Sequence, residues 1–226
     1  MRSLLVIILF FFSGKLISQE TAKEMDLAYG LDPLLYNGKI YTYFLPAGTG
    51  GNQFFLSTDY FLGEVTIKGK LFEGITLNYD IYNQQLLLQY AGETGAFNII
   101  EISKAWLESF SIGPMNFKFI THKNESRIYQ VLGDGPLHIL YYWRKNLKLS
   151  NSAVAADYTF SLPIRTNFVM IKGESRPYGS IGSFIKLFDP VHKDEIKDYI
   201  HVNGIKLKKA PDQVMTDLIN FISNLD

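Results

Sequence analysis

The chain contains no cysteine. That excludes a disulfide framework, a thiolate zinc site, an iron–sulfur cluster and a cysteine nucleophile. Nor is either charge in surplus: 22 basic side chains balance 22 acidic ones, and the isoelectric point is about 6.9. A nucleic-acid binder needs a basic excess to neutralise phosphates, so that class is not expected. Charged residues make up only 19% of the chain and hydrophobic ones 47%, a balance too apolar for disorder. After the first residues, no apolar run approaches the roughly 20 residues of a bilayer-spanning helix, so the mature chain is not expected to span a membrane. The 226 residues fit one globular domain with a small appendage.

The single long apolar run is short for a membrane span. Leu4 to Phe12 is preceded by Arg2, broken at Ser13-Gly14, and followed by Lys15 and a polar exit before Glu20. This order of regions is that of a cleavable secretory signal over residues 1–19. Cleavage after Gln19 leaves the large Ile17 at the −3 position; cleavage after Ser18 is the alternative. Removal of 1–19 takes away Arg2 and Lys15 and no acid, leaving 20 basic and 22 acidic groups, net −2. With no cysteine after the run, lipid anchoring is not expected. The expected destination is the periplasm, the outer-membrane surface or the extracellular space.

Residues 20–53 mix Gly, Pro and Tyr without periodicity and read as an N-terminal extension. Ala47-Gly48-Thr49-Gly50-Gly51-Asn52 reads as a flexible joint, because a phosphate loop needs a following helix and strand-like Phe54-Phe55-Leu56 follows instead. From about 63 to 173 the period is two. Val65 and Ile67 alternate with Thr66 and Lys68. Ile75, Leu77, Tyr79 and Ile81 alternate with Thr76, Asn78, Asp80 and Tyr82. Short breaks at Lys68-Gly69-Lys70, Asn83-Gln84, Gly92 to Gly95, Gly113-Pro114 and Gly133-Asp134-Gly135 predict tight turns between antiparallel neighbours. Polar, small residues over 146–164 predict an exposed excursion. After Gly182 the period becomes helical. Asp189-Pro190 opens one helix, with Ile196, Tyr199 and Ile200 as its stripe and Asn203-Gly204 as its stop. Pro211-Asp212 opens the last, with Val214, Leu218, Phe221, Ile222 and Leu225 on one face. A stripe of that kind serves a partner or, more commonly, packs on its own domain. The expected fold is mainly β (α+β): an antiparallel β-meander over 54–180, forming a curled sheet or half-barrel, with two to three C-terminal helices over 181–226.

Motifs for chemistry are thin. His122, His138, His192 and His201 show no metal-ligand spacing, so no metal and no cofactor is expected. Ser183-Phe184-Ile185-Lys186 matches SxxK but lacks its companion motifs. Tyr141 to Lys145 matches YxxxK but falls in a predicted strand rather than on a helix. Both are expected to be chance matches. Asp80, flanked by Tyr79 and Tyr82, has Glu101 as a conceivable second acid for glycoside hydrolysis, where two carboxylates must sit about 5–10 Å apart. Asn124-Glu125-Ser126 matches a glycosylation acceptor. The most distinctive feature is the set of aromatics on predicted strands: Tyr41, Tyr43, Tyr60, Tyr79, Tyr82, Tyr90, Tyr129, Tyr141, Tyr142 and Trp143. Aromatic rings with polar edges suit a sugar or lipid platform. They also fill broad sheet cores. The candidate ligand-binding residues are Tyr79, Asp80, Tyr82, Tyr141 and Trp143; no catalytic residue is assigned.

Several segments, in order and spacing, resemble one family. They are Asp32-Pro33-Leu34-Leu35-Tyr36-Asn37-Gly38, Gly63 to Ile67, Leu77 to Tyr82 with Leu86-Leu87-Leu88, and Tyr129-Gln130-Val131-Leu132 before Gly-Asp-Gly. Glu195 to Ile200 and Ile205-Lys206-Leu207 complete the set. Together they are similar to uncharacterised secreted proteins of Bacteroidetes-type bacteria. The resemblance spans most of residues 30–225, implies export from a Gram-negative cell, and brings no activity or catalytic residue. The resulting expectation is an exported, non-enzymatic envelope or extracellular protein acting by binding or assembly, with an envelope protein, a glycan or a lipid as partner. A hydrolase acting on glycan or envelope material and a small lipid or ligand carrier are the alternatives.

Overall fold

A computed structural model describes residues 31–46, 48–92, 94–122, 125–151 and 156–225. The expected export signal, residues 20–30 of the extension, Ala47 of the joint, Glu93 of its turn and Asn124 of the glycosylation acceptor lie outside the described residues.

The alternating segments form strands. The first five are β1 (Lys39–Ile40), β2 (Phe61–Ile67), β3 (Lys70–Asp80), β4 (Gln85–Ala91) and β5 (Phe97–Glu101). Then come β6 (Leu107–Ile112), β7 (Met115–His122), β8 (Glu125–Leu132) and β9 (Leu137–Arg144). The last four are β10 (Leu147–Asn151), β11 (Ala156–Phe160), β12 (Ile164–Ile171) and β13 (Glu174–Tyr178). Eleven of them build one antiparallel sheet in the order β1-β5-β4-β3-β2-β6-β7-β8-β9-β12-β13. Tight turns set this order. At the β2–β3 turn Lys68 and Gly69 both have positive φ, 48° and 74°, the twist that a two-residue hairpin needs. The sheet's edges are blunt: β1 has two residues, and β13 carries Pro177 next to charged Arg176.

The sheet curls as expected. β3 and β7 are three strand spacings apart, roughly 14 Å in a flat sheet. Yet the Tyr79 and Phe117 rings meet at 5.5 Å between centroids. Gln84, in the β3–β4 turn, donates Nε2 to the carbonyl of Trp143 on β9 at 2.8 Å. A flat sheet would hold those strands roughly 24 Å apart. The concave face is filled by Tyr79, Phe110, Phe117 and the aliphatic residues around them, with Phe55 wedged between Phe117 and Trp143. The sheet does not close, because its edge strands β1 and β13 do not pair with each other.

The segment expected to be an exposed excursion keeps exposed residues at Lys148, Leu149, Thr159, Leu162 and Pro163 but is ordered as a second, two-stranded sheet of β10 and β11; its residues 152–155 lie outside the described residues. Its apolar residues are few but correctly spaced: Leu147 and Leu149 on one strand, Tyr158 and Phe160 on the other. Gly50 of the expected joint pairs with Thr159 alongside it.

The C-terminal helices are α1 (Ile181–Ile185), α2 (Lys193–Val202) and α3 (Asp212–Ser223). Asp189 caps a 3₁₀ turn at Pro190–His192 that leads into α2; its Oδ1 accepts from the Val191 amide at 3.0 Å. The helices bury Phe184, Ile196, Ile200, Met215, Leu218, Ile219 and Ile222 on the far part of the sheet, against Ile139, Tyr141 and Val169. Among the described residues, no helix is long and apolar enough to cross a membrane.

Candidate functional site

Asp80 ends β3 with its carboxylate turned back into the β3–β4 turn. Oδ1 accepts from the Tyr82 and Asn83 amides at 2.9 and 2.8 Å, and Oδ2 accepts from Asn83 Nδ2 at 2.8 Å. This is the local bonding by which an aspartate shapes a turn. The side chain is wholly buried. Burial pushes its pKa up, the Asn83 and Tyr82 donors hold it down, and the charge of Glu101 adds to the rise.

Two lysines and a tyrosine surround this carboxylate. Lys145 donates to the carbonyl and Oδ1 of Asn52 at 2.8 and 3.1 Å. Lys104 reaches the Asn83 carbonyl at 3.5 Å. Burial lowers the pKa of both, with the negative charge of Asp80 opposing. Tyr41 accepts from Gln53 Nε2 at 2.7 Å, and burial, aided by Asp80, pushes its hydroxyl up to about 12. The group is a rim of the half-barrel, built from the segment after β1, the β3–β4 turn and the loop after β5.

Rings face outward at this rim. Tyr82 stacks on Phe44 with planes 11° apart and centroids 6.1 Å apart, and meets Phe160 edge-on at 5.3 Å. Phe44 is 48% exposed, Tyr43 60% and Leu162 86%.

The five expected ligand-binding residues divide. Asp80 and Tyr82 come together at the rim, where Tyr82 keeps exposed surface. Tyr79 and Tyr141 are fully buried and present nothing to solvent. Tyr79 donates to Gln84 Oε1 at 2.8 Å, Gln84 donates to the Trp143 carbonyl, and Trp143 Nε1 donates to Gln130 Oε1 at 2.7 Å. Gln130 Nε2 then donates to Asp212 Oδ2 at the start of α3, 2.6 Å away. A polar chain therefore crosses the apolar concave face and ties the rim to the helices. Tyr141 lies beneath the helices with the Arg165 guanidinium 4.0 Å from its ring centroid. Of the remaining tyrosines, Tyr129 and Tyr142 pack on the convex face with Phe168, and Arg127 lies over the Tyr142 ring.

Sequence reading missed Phe44, Gln84, Gln130 and Arg165. Phe44 stands in a stretch without periodicity, and the glutamines acquire roles only through contacts distant in the chain. The two enzyme-like strings have structural places. Ser183 accepts from the Gly179 and Ser180 amides and donates to the Ser180 carbonyl, a capping box at α1. Tyr141 to Lys145 runs along β9 and its end, with Lys145 held by Asn52. Among the described residues no three His, Asp or Glu side chains gather to hold a metal ion. A separate groove of about 300 Å³ beside β2, β6, β7 and β8 includes Glu64, Thr66, Ser111, Asn116 and Lys118, and none of the five expected residues.

No family model, no curated protein and no solved structure matches this chain.

Proposed function

We propose that this chain is an exported, non-enzymatic protein of a Gram-negative envelope or its surroundings, and that it binds a glycan at the Phe44–Tyr82 rim. The observation that carries this reading is the stacked, partly exposed ring pair beside hydrogen-bonding groups of Asn83 and Lys104. Ring faces supply flat apolar area for a sugar, and the neighbouring polar groups supply orientation. The signal-like N-terminus and the resemblance to secreted proteins of Bacteroidetes-type bacteria support export.

Two alternatives fit the geometry less well. A lipid carrier needs room for an acyl chain, and the concave face is filled with rings at 4.7–5.5 Å. A hydrolase using Asp80 needs a carboxyl group that touches substrate, and Asp80 is enclosed with both oxygens bonded inside its own turn.

The test is binding of the purified mature chain to envelope glycans by calorimetry or array, with Phe44→Ala and Tyr82→Ala. Each variant should weaken binding by about tenfold or more, as loss of an aromatic stacking contact does. Unchanged affinity in Phe44→Ala would remove the rim from consideration. Turnover of a glycan or ester, abolished by Asp80→Asn in a still-folded protein, would reinstate the hydrolase.

A further inference from the structure

The concave face carries a polar row where a sheet core is ordinarily apolar. Register sets Gln130 of β8, Tyr141 of β9, Asn167 of β12 and Tyr178 of β13 side by side across four consecutive strands. All four are more than nine-tenths buried. Gln130 is satisfied by Trp143 and Asp212. The other three are not: Tyr141 Oη, Asn167 Oδ1 and Tyr178 Oη are enclosed without a hydrogen-bond partner among the described residues. The two phenols are near neighbours: Tyr178 acts on the ionisation of Tyr141, and Tyr141 on that of Tyr178, in the manner of a hydrogen-bonding group, but the contact falls short of a full hydrogen bond.

One orphan in a core can be an accident of packing. Three in a single register row, on adjacent strands, are a constellation. Buried polar atoms as a rule have partners, from protein or from an enclosed small molecule. We propose that Tyr141, Asn167 and Tyr178 form an internal site for a hydroxyl group, separate from the rim and independent of its role.

The donors and acceptors select that chemistry. Asn167 Oδ1 can only accept, so the guest must bring a proton to it. A phenol can donate, so the guest must also offer a lone pair. A carboxylate or a phosphodiester has no proton for Asn167. An ammonium would lie close to Arg165, whose guanidinium stacks on the Tyr141 ring and donates to the Leu207 and Lys208 carbonyls. A neutral O–H satisfies both requirements. Water and the hydroxyl of an alcohol or sugar share that chemistry.

The sign of a stability change decides the matter. An orphan hydroxyl in a core gains from deletion, whereas a hydroxyl bonded to a guest loses by it. Tyr141→Phe and Tyr178→Phe are each expected to lower the melting temperature by about 2–4 °C, and the double variant to lower it further. A rise in either single variant overturns the site. Recovery to the wild-type temperature in the double variant also overturns it, because the phenols would then have bonded only to each other. A crystal structure of the full chain supplies the direct reading. Density within about 2.5–3.0 Å of Asn167 Oδ1 and a phenol oxygen supports the site, and an empty, dry contact there refutes it. Single-atom density, with glycerol shifting wild type and Tyr178→Phe equally, identifies the guest as water. Larger density, with a glycerol- or glucose-dependent rise confined to wild type, identifies an organic hydroxyl.

Discussion

Asp80 shows how one side chain can look functional in sequence and be architectural in space. Its three hydrogen bonds close the β3–β4 turn, and its burial raises its pKa above the ordinary 3.8. The folded chain then holds this proton more tightly than the unfolded chain does. Stability from this group therefore falls as pH rises from about 4 through the raised pKa, and is level above it. Asp80→Asn keeps an acceptor for the Tyr82 and Asn83 amides and abolishes that slope. Asp80→Ala removes all three bonds and should cost about 2–3 kcal/mol at neutral pH. Urea denaturation at several pH values reads both effects. His138, lowered by burial, acts in the opposite sense: its contribution is lost as pH falls below 6.5, and that slope should persist in Asp80→Asn.

Gly63 is a residue of another kind. It sits at a β-bulge in β2, and a Cβ there would stand 2.0 Å from the Ser111 carbonyl oxygen on β6. The obstacle is backbone in a paired strand and cannot swing aside. Gly63→Ala should destabilise by roughly 2–4 kcal/mol, by the same route as an overpacked core. Thermal denaturation, compared with Gly69→Ala in the open β2–β3 turn, separates this clash from the cost of positive φ alone.

At the scale of elements, the chain Tyr79–Gln84–Trp143–Gln130–Asp212 fastens α3 and both arms of the sheet together. Gln130→Leu preserves volume but strands the Trp143 indole N–H and the Asp212 carboxylate. The expected cost is about 2–4 kcal/mol, with faster amide exchange along α3 while β3 and β4 stay protected.

Much of this level was legible. Alternation located the strands around Val65, Leu77, Leu88 and Ile139, because a strand with one buried face must alternate. Asp189-Pro190 and Pro211-Asp212 located two helix starts. Three things were not legible, each for a definable reason. Alternation fixes which face a residue takes, not which strand it meets, so nothing local announces that β2 pairs with both β3 and β6. The hairpin of β10 and β11 has too few apolar residues to outweigh its polar ones. In α3 the expected stripe of Val214, Leu218, Phe221, Ile222 and Leu225 packs on the helix-covered core, but the buried face is wider: Met215 and Ile219 are fully buried beside Leu218 and Ile222, and Phe221 stacks on Tyr199 of α2 at 4.1 Å. How far round a helix the apolar contact extends is set by tertiary packing and not by the spacing of one stripe. The proposed site was legible in part for the same reason: Tyr82 stands in the strand-turn segment that the pattern singles out, whereas Phe44 reaches it only through folding.

For the whole molecule, the curl makes one body of what might have been two. Trp143 packs against the concave core and the helix-covered core alike. Phe55 fills the space between Phe117 and Trp143. Phe55→Ala should cost about 3–5 kcal/mol, and the loss should appear in one transition seen identically by Trp fluorescence and far-UV circular dichroism. The helices test the same unity from the other side. Ile139, Tyr141 and Val169 face Phe184, Met215 and Leu218, and a chain ended after Tyr178 would leave that apolar face open beside an eleven-stranded sheet. Exposed patches of this kind drive association. Gel filtration of such a truncated chain should therefore show aggregate or insoluble material. A soluble, monomeric truncation with a native-like melting temperature would mean instead that the sheet holds its curl unaided, with the helices an addition to a finished fold.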